Sequence, residues 1–229
     1  MCGRFAQVIK HDQLQKLSKE LNAEIHSEQI LISYNVAPTH TVMAVVSNAE
    51  KRYDGYFRWG LVPSWMKELP KSPMINVRCE TISTKPSFRA SFIRRRALIP
   101  INGFYEWQAS SKIPHYIYPA DGGLIHLGAI YDVWEGADGS YLPTIAIITT
   151  EANRMMQSLH HRMPVLIFGD QIGPWLDPAL QDANEAQRLI LPTPEDFLTH
   201  HRVSTMVNRV SNNSEELIQK DDFPEEISL

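Results

Sequence analysis

The 229-residue chain reads as α+β: a single domain with a curved, largely antiparallel, barrel-like β-sheet core and peripheral helices. Three observations lead there. Short runs of alternating apolar residues recur from Thr41 to Phe168, separated by turn-forming residues. The helical patterns are few and sit among the strands without forming regular βαβ units. No Gly/Ser linker, repeat or low-complexity run divides the chain, so one unit is expected over residues 1–219, with a mobile acidic tail at 220–229.

Taken in order, residues 12–25 predict an amphipathic helix, with Asp12 and Gln15 as a capping box and Leu14, Leu17, Leu21 and Ile25 on one face. Ser33–Pro38 is a short extended piece closed by proline. Thr41–Val46 and Tyr53–Arg58 predict strands joined by the polar turn Ser47–Lys51. Trp59–Met66 is an apolar loop broken by Gly60 and Pro63. Asn76–Thr81 alternates, and as a strand it puts Asn76, Arg78 and Glu80 on one face. A second helix is expected from about Lys85, with Pro86 in its first turn and Arg94–Arg96 at its C-terminal end, where cations suit the helix dipole. Ala97–Ile101 then predicts a strand, Asn102-Gly103 a hairpin turn, and Phe104–Trp107 its partner. Further strands are expected at His115–Tyr118, Leu124–Ile130, Thr144–Thr149 and Met163–Phe168. Helices are expected at Glu151–Ser158 and, interrupted by proline, at Pro174–Leu189.

Composition narrows the class. A hydrophobic share of 43% supports a core, and no apolar run approaches the roughly 20 residues of a bilayer-spanning helix. No charged-then-apolar leader opens the chain, and two cysteines make no disulfide framework, so a cytoplasmic protein is expected. The net charge of −4 is concentrated in the tail, where Glu215, Glu216, Asp221, Asp222, Glu225 and Glu226 face Lys220 alone. Between Arg78 and Arg96, by contrast, six cations face Glu80, which allows a local basic face.

Chemistry concentrates at the start, in Cys2-Gly3-Arg4-Phe5. Removal of Met1 would leave Cys2 with a free α-amine and a thiol on adjacent carbons. An α-amine titrates close to neutrality, so part of it is nucleophilic without a special site. The pair can condense with an aldehyde, the amine forming an imine and the thiol closing a thiazolidine ring. Glu106 emerges from an aromatic strand, and burial there would make it a usable base; facing outward, it would be an ordinary edge residue. His160 and His161 adjoin a strand, and neighbours on an extended chain point opposite ways, so one of them can serve a given site. The scattered histidines match no zinc spacing, and neither metal nor cofactor is expected. Pro38, Trp65 and Met66 could form an apolar wedge for splayed bases, or simply pack.

Seven motifs in order, MCGRF, YNVAP, WGLVPSW, NVRCET, GFYEW, LHHRMPVLI and VNRVSNN, resemble the SOS-response-associated peptidase (SRAP) family from Cys2 to about Gln219. The resemblance implies covalent capture of abasic sites in single-stranded DNA through an N-terminal cysteine thiazolidine, by a protein expected to be a monomer. It implies Cys2 as crosslinking residue, Glu106 as base, His160 as acid and Asn76 as orienting residue. It gives phosphate contacts to Arg4 and Arg78, and places Asn35 and Thr149 in the lining. His161 stands where the family commonly has aspartate, and Met66 where another aromatic is usual. The rival readings are an N-terminal-nucleophile thiol hydrolase, either glutamine amidohydrolase or peptidase, and a non-catalytic single-strand binder.

Overall fold

Strand β4 (Thr41–Ser47) shows how the molecule is layered. Val42, Ala44 and Val46 point into one apolar cluster, and Met43 and Val45 into another. A strand buried on both faces reads as a continuous apolar run, as TVMAVV does. A computed structural model describes residues 2–26 and 32–221 of the chain.

In chain order the strands before β4 are β1 (Arg4–Val8), β2 (Ala23–Glu24) and β3 (Ile32–Val36), with helix α1 (His11–Leu21) after β1. Then follow β5 (Arg52–Trp59), β6 (Asn76–Arg78), α2 (Arg89–Arg94), β7 (Arg96–Ile101), β8 (Gly103–Trp107) and β9 (Pro114–Pro119). The long pair β10 (Ile125–Glu135) and β11 (Tyr141–Glu151) precedes α3 (Arg154–Gln157), β12 (Arg162–Pro164), α4 (Ile172–Trp175), α5 (Ala183–Arg188) and β13 (Leu198–Arg202). Strands β5, β4, β7, β10 and β11 join in sequence. A parallel contact of β11 with β5, Thr144 to Arg58 and Ile145 to Trp59, closes them into a five-stranded barrel. The second sheet runs β13-β9-β8-β1-β3, and its Phe5, Phe104, Ile117 and Leu198 join the cluster of Val42 and Ala44. Helices α1, α2 and α4 cover the other face of the barrel through Leu17, Phe92 and Trp175.

Gln7 ties the two sheets together. Its buried amide accepts from Met43 N–H (2.9 Å) and donates to the carbonyls of Met43 and Pro100 (2.9 Å each), bridging β1 to β4 and β7 as a peptide group would.

Several elements differ from the sequence expectation. Helix α1 begins at His11, with Gln13 Oε1 accepting from Lys10 N–H (3.0 Å), and it ends at Asn22 in the left-handed conformation, before Ile25. Helix α2 begins at Arg89; Cys79–Thr81 is a 3₁₀ turn that ends the strand begun at Asn76. Asn102-Gly103 makes no hairpin, because β7 and β8 belong to different sheets. Asn102 instead pairs with Val8, its side chain accepting from Val8 N–H (2.6 Å) and donating to Val8 O (3.0 Å). Gly103 is needed for close approach: a Cβ there would lie 2.5 Å from Ile117 O. The Met163–Phe168 strand contracts to β12 plus a bridge from Leu166 to Leu127, and the Pro174–Leu189 helix divides into α4 and α5.

The expected basic face also shrinks. Arg96 is buried on β7 and donates to five carbonyls, of Phe92, Ile93, Trp175, Asp177 and Leu180, at 2.8–3.0 Å. Arg95 pairs with Asp132 (3.2 Å). Arg78, Lys85, Arg89 and Arg94 remain exposed.

At the C-terminus the fold continues through buried Leu217 to Asp221, whose N–H donates to Arg202 O (2.9 Å). Residues 222–229, the rest of the expected tail, lie outside the described residues, as does Met1. Among the described residues no helix is long and apolar enough to cross a membrane.

Candidate active site

Cys2 sits just before β1, the strand between β3 and β8, and is fully buried against the shared core. Three segments meet there. The first is β6, laid parallel to β11 so that Asn76 pairs with Ile147. Asn76 Nδ2 donates to the Cys2 carbonyl (2.8 Å), while its buried Oδ1 has no hydrogen-bond partner among the described residues. The amide therefore keeps an acceptor in reserve beside the first turn of chain.

The second segment is β8. Its register with β1, Arg4 opposite Tyr105, brings Glu106 alongside the start of the chain. Alternation turns Phe104 and Glu106 inward, and Tyr105 and Trp107 to the other face. There Tyr105 Oη donates to Tyr34 O and Trp107 Nε1 to Asn208 Oδ1, both at 2.7 Å. The sequence left Glu106 open between buried and outward-facing; it is buried. Burial pushes the Cys2 thiol well above its ordinary value, and the Glu106 carboxylate adds to the effect. The sulfur is accordingly a thiol and not a thiolate at neutral pH.

The third segment is the turn from α3 to β12. Asn153 caps α3 by accepting from Met156 N–H (3.1 Å), and Glu195 accepts from Arg154 N–H (3.0 Å) and Met155 N–H (3.1 Å). His160 follows, and its Nδ1 accepts from Arg162 N–H (2.9 Å). A ring that accepts at Nδ1 carries its neutral-state proton on Nε2. Burial lowers the His160 pKa; the Glu106 carboxylate acts the other way.

Glu106 and His160 line a groove of about 630 Å³, together with Ser110, Lys112, Ser158 and His161. A larger cleft of about 1270 Å³ lies between Ser47–Arg52 and Gly173–Gln181 and includes none of these side chains. Among the described residues no group of three or more His, Cys, Asp or Glu could hold a metal ion.

The residues expected to touch a ligand fall into two groups. Arg78 is exposed, with no ion pair among the described residues; Trp65 is 63% exposed, and Pro38 and Met66 are half-buried. Thr39, beside Pro38, takes the left-handed conformation (φ 75°) and donates its N–H to Trp59 O (2.8 Å), which pins this loop to the barrel. Asn35 and Thr149 are buried, with bonds inside the protein. Asn35 donates to the carbonyls of Val207, Arg209 and Asn212 (2.9–3.2 Å), and Thr149 Oγ1 to Val77 O (3.3 Å). They therefore brace the site and do not line its surface. Arg4 combines both characters: Nη1 donates to Asn35 Oδ1 (2.7 Å) and Val207 O (2.8 Å), and the guanidinium lies over the Trp107 ring at 5.8 Å.

Sequence reasoning missed a fork between buried Arg162 and the more exposed Glu80. Arg162 donates to both Glu80 oxygens (2.5 and 2.9 Å) and to Thr149 O (2.7 Å), locking the His160 turn to the strand that carries Asn76 and Arg78. Opposite charges flanking two candidate motifs were visible, but nothing local joins residues 80 and 162.

The chain matches the family model described as SOS response associated peptidase (SRAP) over residues 1–210. It is 36% identical to "Abasic site processing protein YoqW" of Bacillus subtilis, covering 96% of this chain and 99% of that protein. It is 34% identical to "Abasic site processing protein HMCES" of Gallus gallus, covering 81% and 65% respectively. A crystal structure of a Bacteroides thetaiotaomicron protein shares the fold, with a TM-score of 0.83 at 24% identity over 96% of this chain and all of that one. With a family model spanning nearly its whole folded length, the chain belongs to the SOS response associated peptidase family.

Proposed function

We propose that the protein processes abasic sites by capturing them covalently in single-stranded DNA through Cys2. The observation that carries the reading is the convergence of Asn76 and Glu106, from distant segments, on the second residue of the chain, with His160 beside Glu106 in the same groove. The relatives named as abasic-site processing proteins support the substrate.

In this reading Met1 is removed and the Cys2 α-amine, oriented by Asn76, attacks C1′ of the ring-opened deoxyribose. Glu106 accepts the amine proton, and His160 assists departure of water from the carbinolamine. The thiol sulfur then adds to the imine carbon and its proton passes to nitrogen, so aldehyde and aminothiol give thiazolidine and one water. Ring closure diverts the imine from the β-elimination that would cut the strand. Arg78 and the engaged Arg4 hold phosphates, which carry no sequence information. Trp65, Met66 and Pro38 separate bases, while Asn35 and Thr149 support the walls.

Burial and Glu106 both raise the Cys2 thiol, which bears harder on a thiol hydrolase, whose first step needs a thiolate, than on capture, whose first nucleophile is the amine. The deciding experiment leaves Cys2 intact and blocks its amine, by retaining Met1 or adding an N-terminal tag. Processed protein should form a heat-stable crosslink to an abasic oligonucleotide on a denaturing gel, and blocked protein none. Equal crosslinking by both would sink the thiazolidine mechanism and favour the thiol alone.

A further inference from the structure

An extended pair of neighbours would point in opposite directions; His160 and His161 do not. Their rings lie 4.3 Å apart, inclined by 24°, in a face-to-face stack. The backbone that imposes this is fixed on both sides. His160 N–H donates to Met156 O (2.9 Å), Ala152 N–H to His161 O (3.1 Å), and Arg162 N–H to His160 Nδ1 (2.9 Å). His160 is half-buried and His161 exposed, so one ring fronts the site and the other backs it from the solvent side.

We propose that His161 is a positioning residue for His160: its ring fixes the plane of the His160 imidazole and opposes a positive charge on it. The proposal rests on the functional reading only for its kinetic consequence.

The charged and titratable groups around His160 divide cleanly. Burial and His161 disfavour the imidazolium. Glu106 on β8 favours it, as does the Arg162 carbonyl, 3.2 Å from Nδ1. The Arg162 guanidinium is occupied by Glu80 and Thr149, and Lys112 lines the same groove as a further cation. With the rings stacked 4.3 Å apart, positive charge on the His161 side makes a proton on His160 harder to add. The Arg162 backbone accommodates both states of His160, with an N–H for neutral Nδ1 and a carbonyl for protonated Nδ1. His161 therefore biases a balance that the main chain leaves open.

The test reads His160 directly, by NMR titration of its imidazole C–H signals in intact protein without DNA. His161→Phe keeps a flat ring and removes the second cation, so the His160 midpoint should rise. His161→Asp replaces the cation with a carboxylate, and the midpoint should rise further. In single-turnover crosslinking, His161→Ala should be slower than wild type, with His161→Phe restoring the rate; the high-pH limb of the rate profile should move upward with the midpoint. A His160 midpoint unchanged in both Phe and Asp variants would overturn the proposal. Should the Asp variant fail to fold, the Phe variant alone decides. Shifted midpoints in a protein that never crosslinks would condemn the functional reading and leave the positioning role standing.

Discussion

Residue by residue, the site separates groups that hold from groups that are free to act. Asn35, Thr149 and Arg96 are buried with their polar atoms engaged by the main chain, and their loss would leave carbonyls without donors. Arg78 stands at the other extreme, exposed on the same short strand as Asn76. That contrast makes Arg78→Glu an informative change, because it disturbs no side-chain bond among the described residues. Capture of abasic single-stranded DNA should weaken at every sequence, and the slope of log affinity against log salt should fall in magnitude by roughly 0.7 for one lost phosphate contact. A binding isotherm series across salt concentrations checks it, and an unchanged slope would remove Arg78 from the interface. Motif reading singled out Cys2, Glu106 and His160 because their residue types carry chemistry wherever they occur. It could not tell Arg78 from Arg96, since both are arginines in one basic stretch and only tertiary burial distinguishes them.

At the scale of elements, strands were legible where alternation or an apolar run persisted, as in β4, β10 and β11. Junctions were not. Asn-Gly favours a hairpin by local turn chemistry, yet at residues 102–103 the chain passes from the barrel to the second sheet, and Asn102 pairs across 94 residues with Val8. The His160 turn was misread for a related reason: neighbours taken as extended chain, whose rings would point apart, lie in a bend before β12. The Arg162–Glu80 fork now explains how β6 and β12 stay in register on either side of β11. The Arg162 hydrogen bond holds the Glu80 carboxyl below the usual carboxylate range. A depressed carboxyl stabilises the fold above its unfolded pKa, and that contribution is lost as pH falls through the folded value. Glu80→Gln should therefore cost roughly 1 kcal/mol near neutrality, a modest figure because Glu80 is partly in water. Thermal melts should show the two proteins converging in acid; a gap that persists below the carboxylate range would mean the loss is not electrostatic.

For the whole molecule, the arrangement that matters is the order in which the seat of Cys2 comes together. Strand β1 is among the first parts of the chain to be made, yet its neighbour β8, the Asn76 strand and the His160 turn follow about 70 to 160 residues later. At 5–20 residues per second, the ribosome leaves roughly ten to thirty seconds in which residue 2 has nowhere to dock. Once the barrel closes, Cys2 is wholly enclosed. On the covalent-capture reading we predict that trimming of the initiator methionine by another enzyme precedes closure of this seat. Protein refolded with Met1 intact should resist added methionine aminopeptidase, whereas the same chain presented in denaturant-weakened form should be trimmed, with intact mass as the readout. Ready trimming of the refolded protein would show that the enclosure opens on its own. On that reading maturation would be dated by the clock of translation: a molecule that kept Met1 past folding would have the whole fold and lack the Cys2 α-amine.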